Sequence, residues 1–200
     1  MFLAKIITKI LSSKIFVRLY FGIDASKSKI KFQTGYSTIL MIKALKKYAS
    51  PSSRILDIGT GPIAVHAIWS KKNIGCDVAA AEINYSYVEN ARIIAKSNNS
   101  GIDIIKSDLF KNVKDIESFD IILFNPPVES KHDDKSYIIA ERFLKEAPNA
   151  RLMMVVNRLY VDFKKIEKLI RDSNYTIKDI VTSKFNPARV YVLRVLKKLT

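Results

Sequence analysis

Residues 54–64 read Arg54-Ile55-Leu56-Asp57-Ile58-Gly59-Thr60-Gly61-Pro62-Ile63-Ala64. A short apolar run stops on two glycines and a proline, the pattern of a buried strand passing through a tight turn into a helix. Gly59 and Gly61 free the backbone to turn sharply and let a ligand approach the main chain. Pro62 suits the first position of the next helix, where its missing N–H costs nothing.

Outward from this turn the alternation repeats. Strands are expected at 54–58, 77–81, 102–106, 119–124 and 151–156, with helices at 62–72, 85–97, 136–147 and 162–172. Two further strands, 176–184 and 189–196, are separated by Phe185-Asn186-Pro187 in the manner of a hairpin. The fold class is therefore α/β: a Rossmann-like, doubly wound, mostly parallel seven-stranded sheet with a C-terminal antiparallel hairpin. Upstream, residues 2–20 place apolar side chains at helical spacing with lysines between them, as one amphipathic basic helix or two. A helix follows at 36–48, and Ser50-Pro51-Ser52-Ser53 then breaks the chain. The expected organisation is a basic N-terminal helical extension, residues 1–50, packed on a ligand-binding domain of residues 51–200.

The 200 residues, 48% hydrophobic and 26% charged, suit an ordinary globular core. No apolar run approaches membrane-spanning length and no signal-peptide pattern is visible, so no membrane partner is expected. The lone Cys76 cannot form an internal disulfide and fits a cytoplasmic location. With one cysteine and two histidines, no zinc-ligand spacing exists, and no metal is expected.

The charge is uneven. Residues 1–50 carry ten Lys/Arg against one acid, and residues 151–200 carry twelve against four. The central hundred carry twelve against fourteen, within a total of +15. A near-neutral centre between basic flanks points to a phosphate-rich partner, with RNA the leading candidate. The alternative is a lysine-rich surface that serves solubility.

The glycine turn admits two cofactors. Gly59, Gly61 and Ala64 match a dinucleotide fingerprint, with Glu82 about twenty residues on. Asp57 argues otherwise, because a carboxylate at the strand end disfavours a pyrophosphate and favours a cationic ligand. S-adenosyl-L-methionine carries an ammonium and a sulfonium group. Glu82 ends the second strand, where it can accept ribose hydroxyls. Asp108, within Ser107-Asp108-Leu109, follows the third and can accept an adenine amino group. The expected cofactor set is Asp57, Gly59, Thr60, Gly61, Glu82, Ile83, Ser107, Asp108 and Leu109, together with Asn125. Asp57 and Asp108 also have simpler uses, as a turn cap and a helix cap.

The fourth strand ends on Phe124-Asn125-Pro126-Pro127-Val128. Proline cannot donate to a sheet ladder, so the two prolines end the strand and stiffen the chain beyond it. In this fold the fourth strand neighbours the first across the point where strand order reverses, which sets Asn125 beside the cofactor. Taken together, Asp-Ile-Gly-Thr-Gly, the Glu82 strand end, Ser-Asp-Leu and Asn-Pro-Pro resemble the class I S-adenosylmethionine-dependent methyltransferases. The resemblance is to the group with an Asn-Pro-Pro motif, which methylates planar amide or amino nitrogens, and spans roughly residues 31–128. The Gly-Thr-Gly-Pro-x-Ala turn is similar to that of RNA adenine N6-methyltransferases. The resemblance implies methyl transfer to an exocyclic nitrogen, adenine N6 in ribosomal, transfer or small structural RNA first. Glutamine N5 in a protein and guanine N2 in ribosomal RNA are the alternatives, and an activating protein subunit is compatible with all three.

The motif has a chemical reason. A conjugated exocyclic amine or an amide nitrogen is a poor nucleophile, because its lone pair is delocalised. The Asn125 side-chain carbonyl and the Pro126 backbone carbonyl are placed to accept its two N–H bonds, and Pro127 keeps both acceptors rigid. Asn125, Pro126 and Pro127 are thus the expected catalytic residues, and neither His66 nor His132 has a recognisable catalytic partner in the sequence.

The family's aromatic fourth position, which stacks on the substrate, is Val128 here. Either apolar contact suffices or another ring replaces it, with Tyr137 and Phe110 the candidates. Val128 and Tyr137 form the expected substrate-binding pair. Residues 129–135 read as a solvated loop that gates the substrate, and Gln33 and Thr34 stand where relatives close over the methionine end of the cofactor. Two other classes remain: a nicotinamide-binding oxidoreductase, which leaves Asn-Pro-Pro unexplained, and a non-catalytic RNA-binding subunit, which leaves the acids unexplained.

Overall fold

The central strands are apolar along most of their length, which commits both of their faces to burial, as a parallel sheet covered by helices requires. In the computed structural model, which describes residues 9–126, 134–184 and 186–195, all four residues of Ile121–Phe124 are buried. The seven strands are β1 (Arg54–Ile58), β2 (Asp77–Glu82), β3 (Asp103–Lys106), β4 (Ile121–Phe124), β5 (Arg151–Asn157), β6 (Tyr175–Val181) and β7 (Ala188–Val195). They form one sheet in the order β3-β2-β1-β4-β5-β7-β6. β1 pairs in parallel with both β2 and β4, so the order reverses at the β1–β4 junction. β7 runs antiparallel to both β5 and β6. The seven-stranded, mostly parallel sheet with a C-terminal hairpin is the architecture the alternation predicts.

Side chains alternate across the sheet, and each face builds its own core. The N-terminal segment contributes Val17 and Phe21 of α1 (Lys14–Phe21), together with Ile23, to the first cluster. There they join Ile55, Ile121, Leu123 and Val155 of the sheet and Leu40, Leu45, Ile68 and Ile94 of the helices above it. These last four come from α2 (Tyr36–Tyr48), α3 (Val65–Asn73) and α4 (Tyr85–Ser97). Leu56, Ile58, Phe124 and Met154 join the other cluster with Phe143 of α5 (Asp134–Glu146) and Ile166 of α6 (Phe163–Asp172).

Local chemistry fixes several helix ends. Ser13, Asn84 and Asp162 cap α1, α4 and α6 by accepting backbone N–H bonds. Gly22, at φ 67°, closes α1 in the left-handed conformation. The long N-terminal helix expected over 2–20 is interrupted: residues 9–11 are helical, Ser12 and Ser13 are not, and α1 restarts at Lys14. Residues 1–8 lie outside the described part.

The helix after the glycine turn also departs from expectation. It starts at Val65, so Pro62 sits in the turn and not at the first helical position. The cause is Ala64, which is left-handed at φ 44° and delays the helix by three residues. The strand expected from 119 begins at Ile121, because a single 3-10 turn at Ile116–Ser118 precedes it. Among the described residues no helix is long and apolar enough to cross a membrane, and no group of three or more metal-ligating side chains occurs.

Candidate active site

Parallel strands β1 to β5 all end on one edge of the sheet, and the site collects there. Ile58 pairs with Phe124, the last residue of β4, so Gly59 and Asn125 leave the sheet side by side. The turn beyond β1 is strapped to β2: the Gly59 and Thr60 amides both donate to the Ala81 carbonyl, at 2.8 and 3.1 Å. Gly59 and Gly61 take φ 67° and 70°, a conformation other residues reach only with strain. A Cβ at either would meet nothing within 4 Å, so their glycines are needed for backbone shape, and the space above the turn is open. Two side-chain-bearing residues at the same edge, Ala64 and Leu109, share this conformation at φ 44° and 47°. Strain held in this way is concentrated where a site demands a particular backbone shape.

The three acids each have a partner. Asp57 is buried, accepts from the Thr60 hydroxyl at 2.6 Å, and lies 3.8 Å from His66 Nδ1. Glu82 is nearly buried; one oxygen accepts from the Gly61 amide at 3.0 Å and the other from the Asn84 amide at 2.9 Å. Each carboxylate oxygen keeps a second lone pair for a ligand hydroxyl. Asp108 is held by both terminal nitrogens of Arg142, at 3.2 and 3.1 Å, and its carboxylate pushes the guanidinium further toward the charged form.

Ile83, adjoining Glu82, is 60% exposed, an uncovered apolar surface at the rim. Ser107 is buried, donates its amide to the Glu82 carbonyl, and accepts from the Asn112 amide through its hydroxyl.

Asn125 is half-buried and, with Pro126, lines a narrow cleft against Ser37, Ser136, Val155 and Asn157. Its strand is anchored by Phe124, whose ring stacks on Phe143 with centroids 4.2 Å apart. Pro127, Val128 and most of the 129–135 loop lie outside the described residues.

Neither ring suggested as a replacement for the missing aromatic has a free face. Phe110 is buried and stacked on Phe143. Tyr137 is largely buried, its hydroxyl accepts from the Asp162 amide, and Lys165 Nζ stands 3.8 Å from its ring centroid. Both belong to the core beneath the site, where the apolar cluster of β4, α5 and α6 needs them.

Thr34 is likewise spoken for. It exchanges hydrogen bonds with Ser12 and donates its hydroxyl to the Leu11 carbonyl, which ties down the N-terminal segment, while Gln33 is exposed.

Three residues beside the site carry little or no sequence signal. Buried Asn90 on α4 donates to the Pro62 carbonyl and the Ser28 hydroxyl and accepts from the Lys29 amide, and so braces the glycine turn against the N-terminal segment. His66 is buried beside Asp57 with no partner for Nε2 among the described residues. Arg142 reaches Asp108 from 34 residues away. A polar residue on an apolar helix face is the one visible hint of Asn90.

Residues 28–181 match the family model of the methyltransferase small domain, and the chain belongs to that family. It is 29% identical to a ribosomal protein L11 methyltransferase of Caldicellulosiruptor bescii, over 70% of this chain and 41% of that protein. It is 33% identical to a putative protein N5-glutamine methyltransferase of Methanocaldococcus jannaschii, over 59% of this chain and 65% of that one. It is 31% identical to ribosomal RNA small subunit methyltransferase C of Psychromonas ingrahamii, over 54% of this chain and 31% of that one. The chain thus spans less than two thirds of each of these relatives.

Among solved structures, a methyltransferase from Pyrococcus furiosus superposes with a TM-score of 0.74 at 23% identity, covering 94% of this chain and 96% of that one. The family uses S-adenosyl-L-methionine, and the residues fit it. An open crevice over a glycine turn, two carboxylates with spare lone pairs and an uncovered apolar rim suit a cationic nucleoside.

Proposed function

We propose that this methyltransferase small domain places a methyl group on an exocyclic nitrogen of a base in RNA. The observation that carries the reading is the register of β4 against β1, which delivers Asn125 and Pro126 beside the glycine turn at the reversal of strand order. S-adenosyl-L-methionine supplies an electrophilic methyl on a sulfonium when bound. Glu82 would hold its ribose, Asp57 would serve its cationic end, and the Gly59–Gly61 backbone would leave room for close approach.

Asn125 Oδ1 and the Pro126 carbonyl accept the two N–H bonds of the target amine. The nitrogen then leaves the plane of its ring, and its lone pair becomes available to form the new C–N bond. With the bound cofactor supplying the methyl and keeping the electron pair of its C–S bond, Asn125 and Pro126 would hold the nitrogen in place while its extra proton passes to water. Preorganised acceptors of this kind need no general base, which matches a site whose histidine is buried on Asp57.

What supports RNA is the charge: twelve Lys/Arg against four acids in residues 151–200 and ten against one in residues 1–50. The relatives named above act, by their names, on a ribosomal protein, a glutamine side chain and ribosomal RNA. Adenine N6, the position the sequence resemblance puts first, finds no support among them, and the proposal therefore stops at the exocyclic nitrogen of a base. A glutamine amide is the second reading, favoured by the 33% identical relative and served by the same two acceptors.

Incubation with methyl-labelled cofactor, once with total RNA and once with total protein, separates the two. Label recovered in an N-methylated nucleoside by mass spectrometry is the expected result; label confined to glutamine in protein would replace the first reading with the second.

A further inference from the structure

The cleft in front of Asn125 is narrow, about 20 Å³, and Val155, Val161 and Ile166 are among its aliphatic walls. A single water already needs about 10–15 Å³ of such space. A ring does not fit inside. Only the edge of a planar group reaches in, and the polar atoms of the cleft meet that edge.

Three polar side chains besides Asn125 interrupt the apolar walls: Ser37, Ser136 and Asn157. They come from three different elements. Ser37 lies in the first turn of α2, which packs on the sheet face of Ile55 and Ile121. Ser136 lies in the first turn of α5, on the opposite face with Leu56 and Phe124. Asn157 ends β5. Asn125, leaving β4, is thus bracketed by a hydroxyl from each face of the sheet.

The fold itself uses none of these groups fully. Ser136 is only 6% exposed, yet its hydroxyl has no hydrogen-bond partner among the described residues. Unlike Ser70 Oγ, which is sealed in the core without a partner, it opens onto the cleft. The half-buried Ser37 hydroxyl also has no partner among the described residues. Asn157 accepts the Leu159 amide on Oδ1 at 2.9 Å, and among the same residues its Nδ2 has no acceptor. Buried polar groups nearly always find partners, so a nearly buried hydroxyl without one, beside Asn125, is a group prepared for a substrate atom.

The chemistry of the target says which atom that is. An exocyclic amine conjugated to a purine ring shares its carbon with a ring nitrogen that accepts a hydrogen bond. A hydroxyl can donate to that nitrogen, and Asn157 Nδ2 can only donate. We infer that Ser136 donates to the ring nitrogen beside the target amine, with Ser37 and Asn157 closing the slot around the same edge. These residues are specificity-determining. An amine whose neighbouring ring position is C–H would leave the donors unpaired against an apolar wall, and is rejected on that ground. The inference rests on the proposed function, in which Asn125 and Pro126 take the two N–H bonds.

The test uses the full chain, methyl-labelled S-adenosyl-L-methionine and total RNA at a series of concentrations, with label counted in nucleosides. Ser136→Ala should raise the apparent KM for RNA about two- to tenfold, the loss expected for one neutral hydrogen bond, while kcat changes far less. Asn157→Asp keeps the acceptor for the Leu159 amide but replaces a donor with an acceptor, so its KM should rise further. Affinity for S-adenosylhomocysteine should match the parent in both variants. The melting temperature of Ser136→Ala should be no lower than the parent's, because the hydroxyl has no bond within the described fold to lose.

Parent values of KM in both variants would overturn the assignment and leave the proposed function standing. A lower melting temperature and a lost cofactor affinity in Ser136→Ala would overturn it too, by showing the hydroxyl to be structural. Label confined to glutamine in total protein would overturn the ring-nitrogen assignment together with the RNA reading. If Asn125→Ala turns over like the parent, the target nitrogen does not sit in this cleft, and the assignment and the proposed function fall together.

Discussion

The half of the sheet formed by β3, β2 and β1 and the half formed by β4, β5, β7 and β6 meet at the Ile58–Phe124 pair, and they prepare for ligands differently. In the first half the three site acids are already engaged. Asp57 is bonded to Thr60, Glu82 to two backbone amides, and Asp108 to Arg142. In the second half the prepared group is an amide after a stacked phenylalanine. On the proposed reading the first half receives one small cation, with acids already fixed by their own hydrogen bonds. On the same reading the second half presents the substrate's acceptors, Asn125 and Pro126, at the edge of a narrow cleft. The difference suggests that binding of the cofactor and chemistry on the substrate are separable, residue by residue.

Asn125→Ala is expected to show the largest effect. Removing one preorganised acceptor should lower kcat by about 10²–10³-fold, as loss of a comparable hydrogen-bonding group does elsewhere. Calorimetric affinity for S-adenosylhomocysteine should stay within about threefold, because Asn125 serves the substrate half. Equal loss of both quantities would erase the division between the halves.

Glu82→Ala should do the reverse. It removes the proposed acceptor of ribose hydroxyls and leaves the Gly61 and Asn84 amides without their partner. Hydrogen bonds to a charged group are worth about 1.5–3 kcal/mol, so the cofactor Kd should rise by about 10- to 150-fold. Turnover at saturating cofactor should fall far less; an unaltered Kd would take Glu82 out of the site.

Arg142→Met should matter least. The Arg142–Asp108 pair joins α5 to the loop after β3, and both side chains are about two-fifths exposed, at 42% and 40%. Solvent and salt screen such a pair, so a stability loss below about 1 kcal/mol is expected, and it should vanish in high salt. Thermal melts at two ionic strengths read this directly. A large, salt-independent loss would mean that the two halves are coupled more tightly than the Arg142–Asp108 geometry implies.

Much of the fold was legible because periodicity and punctuation are local. Helices at Tyr36–Tyr48 and Tyr85–Ser97 follow their apolar spacing to the residue, and β1 ends where Gly59 begins. The failures share a physical character. The start of α3 depends on a left-handed alanine, and nothing in the residue type announces that conformation.

The placement of the three candidate acids near strand ends was legible: Asp57 lies one residue before the end of β1, Glu82 at the end of β2 and Asp108 two residues beyond β3. Their partners were not. Arg142 on Asp108, His66 beside Asp57 and Asn90 against Pro62 are contacts between elements, created only when helices pack on the sheet. The same holds for Tyr137 and Phe110. An aromatic residue near a motif has the same spelling whether it stacks on a substrate or fills the core, and packing on Phe143 and beneath Lys165 decides for the core.

The most direct test of the account is a crystal structure of the chain with S-adenosylhomocysteine. The ribose hydroxyls should lie on Glu82, with the sulfur turned toward the space in front of Asn125 and Pro126. A ligand bound away from the Gly59–Gly61 turn, or a sulfur facing away from Asn125, would contradict it.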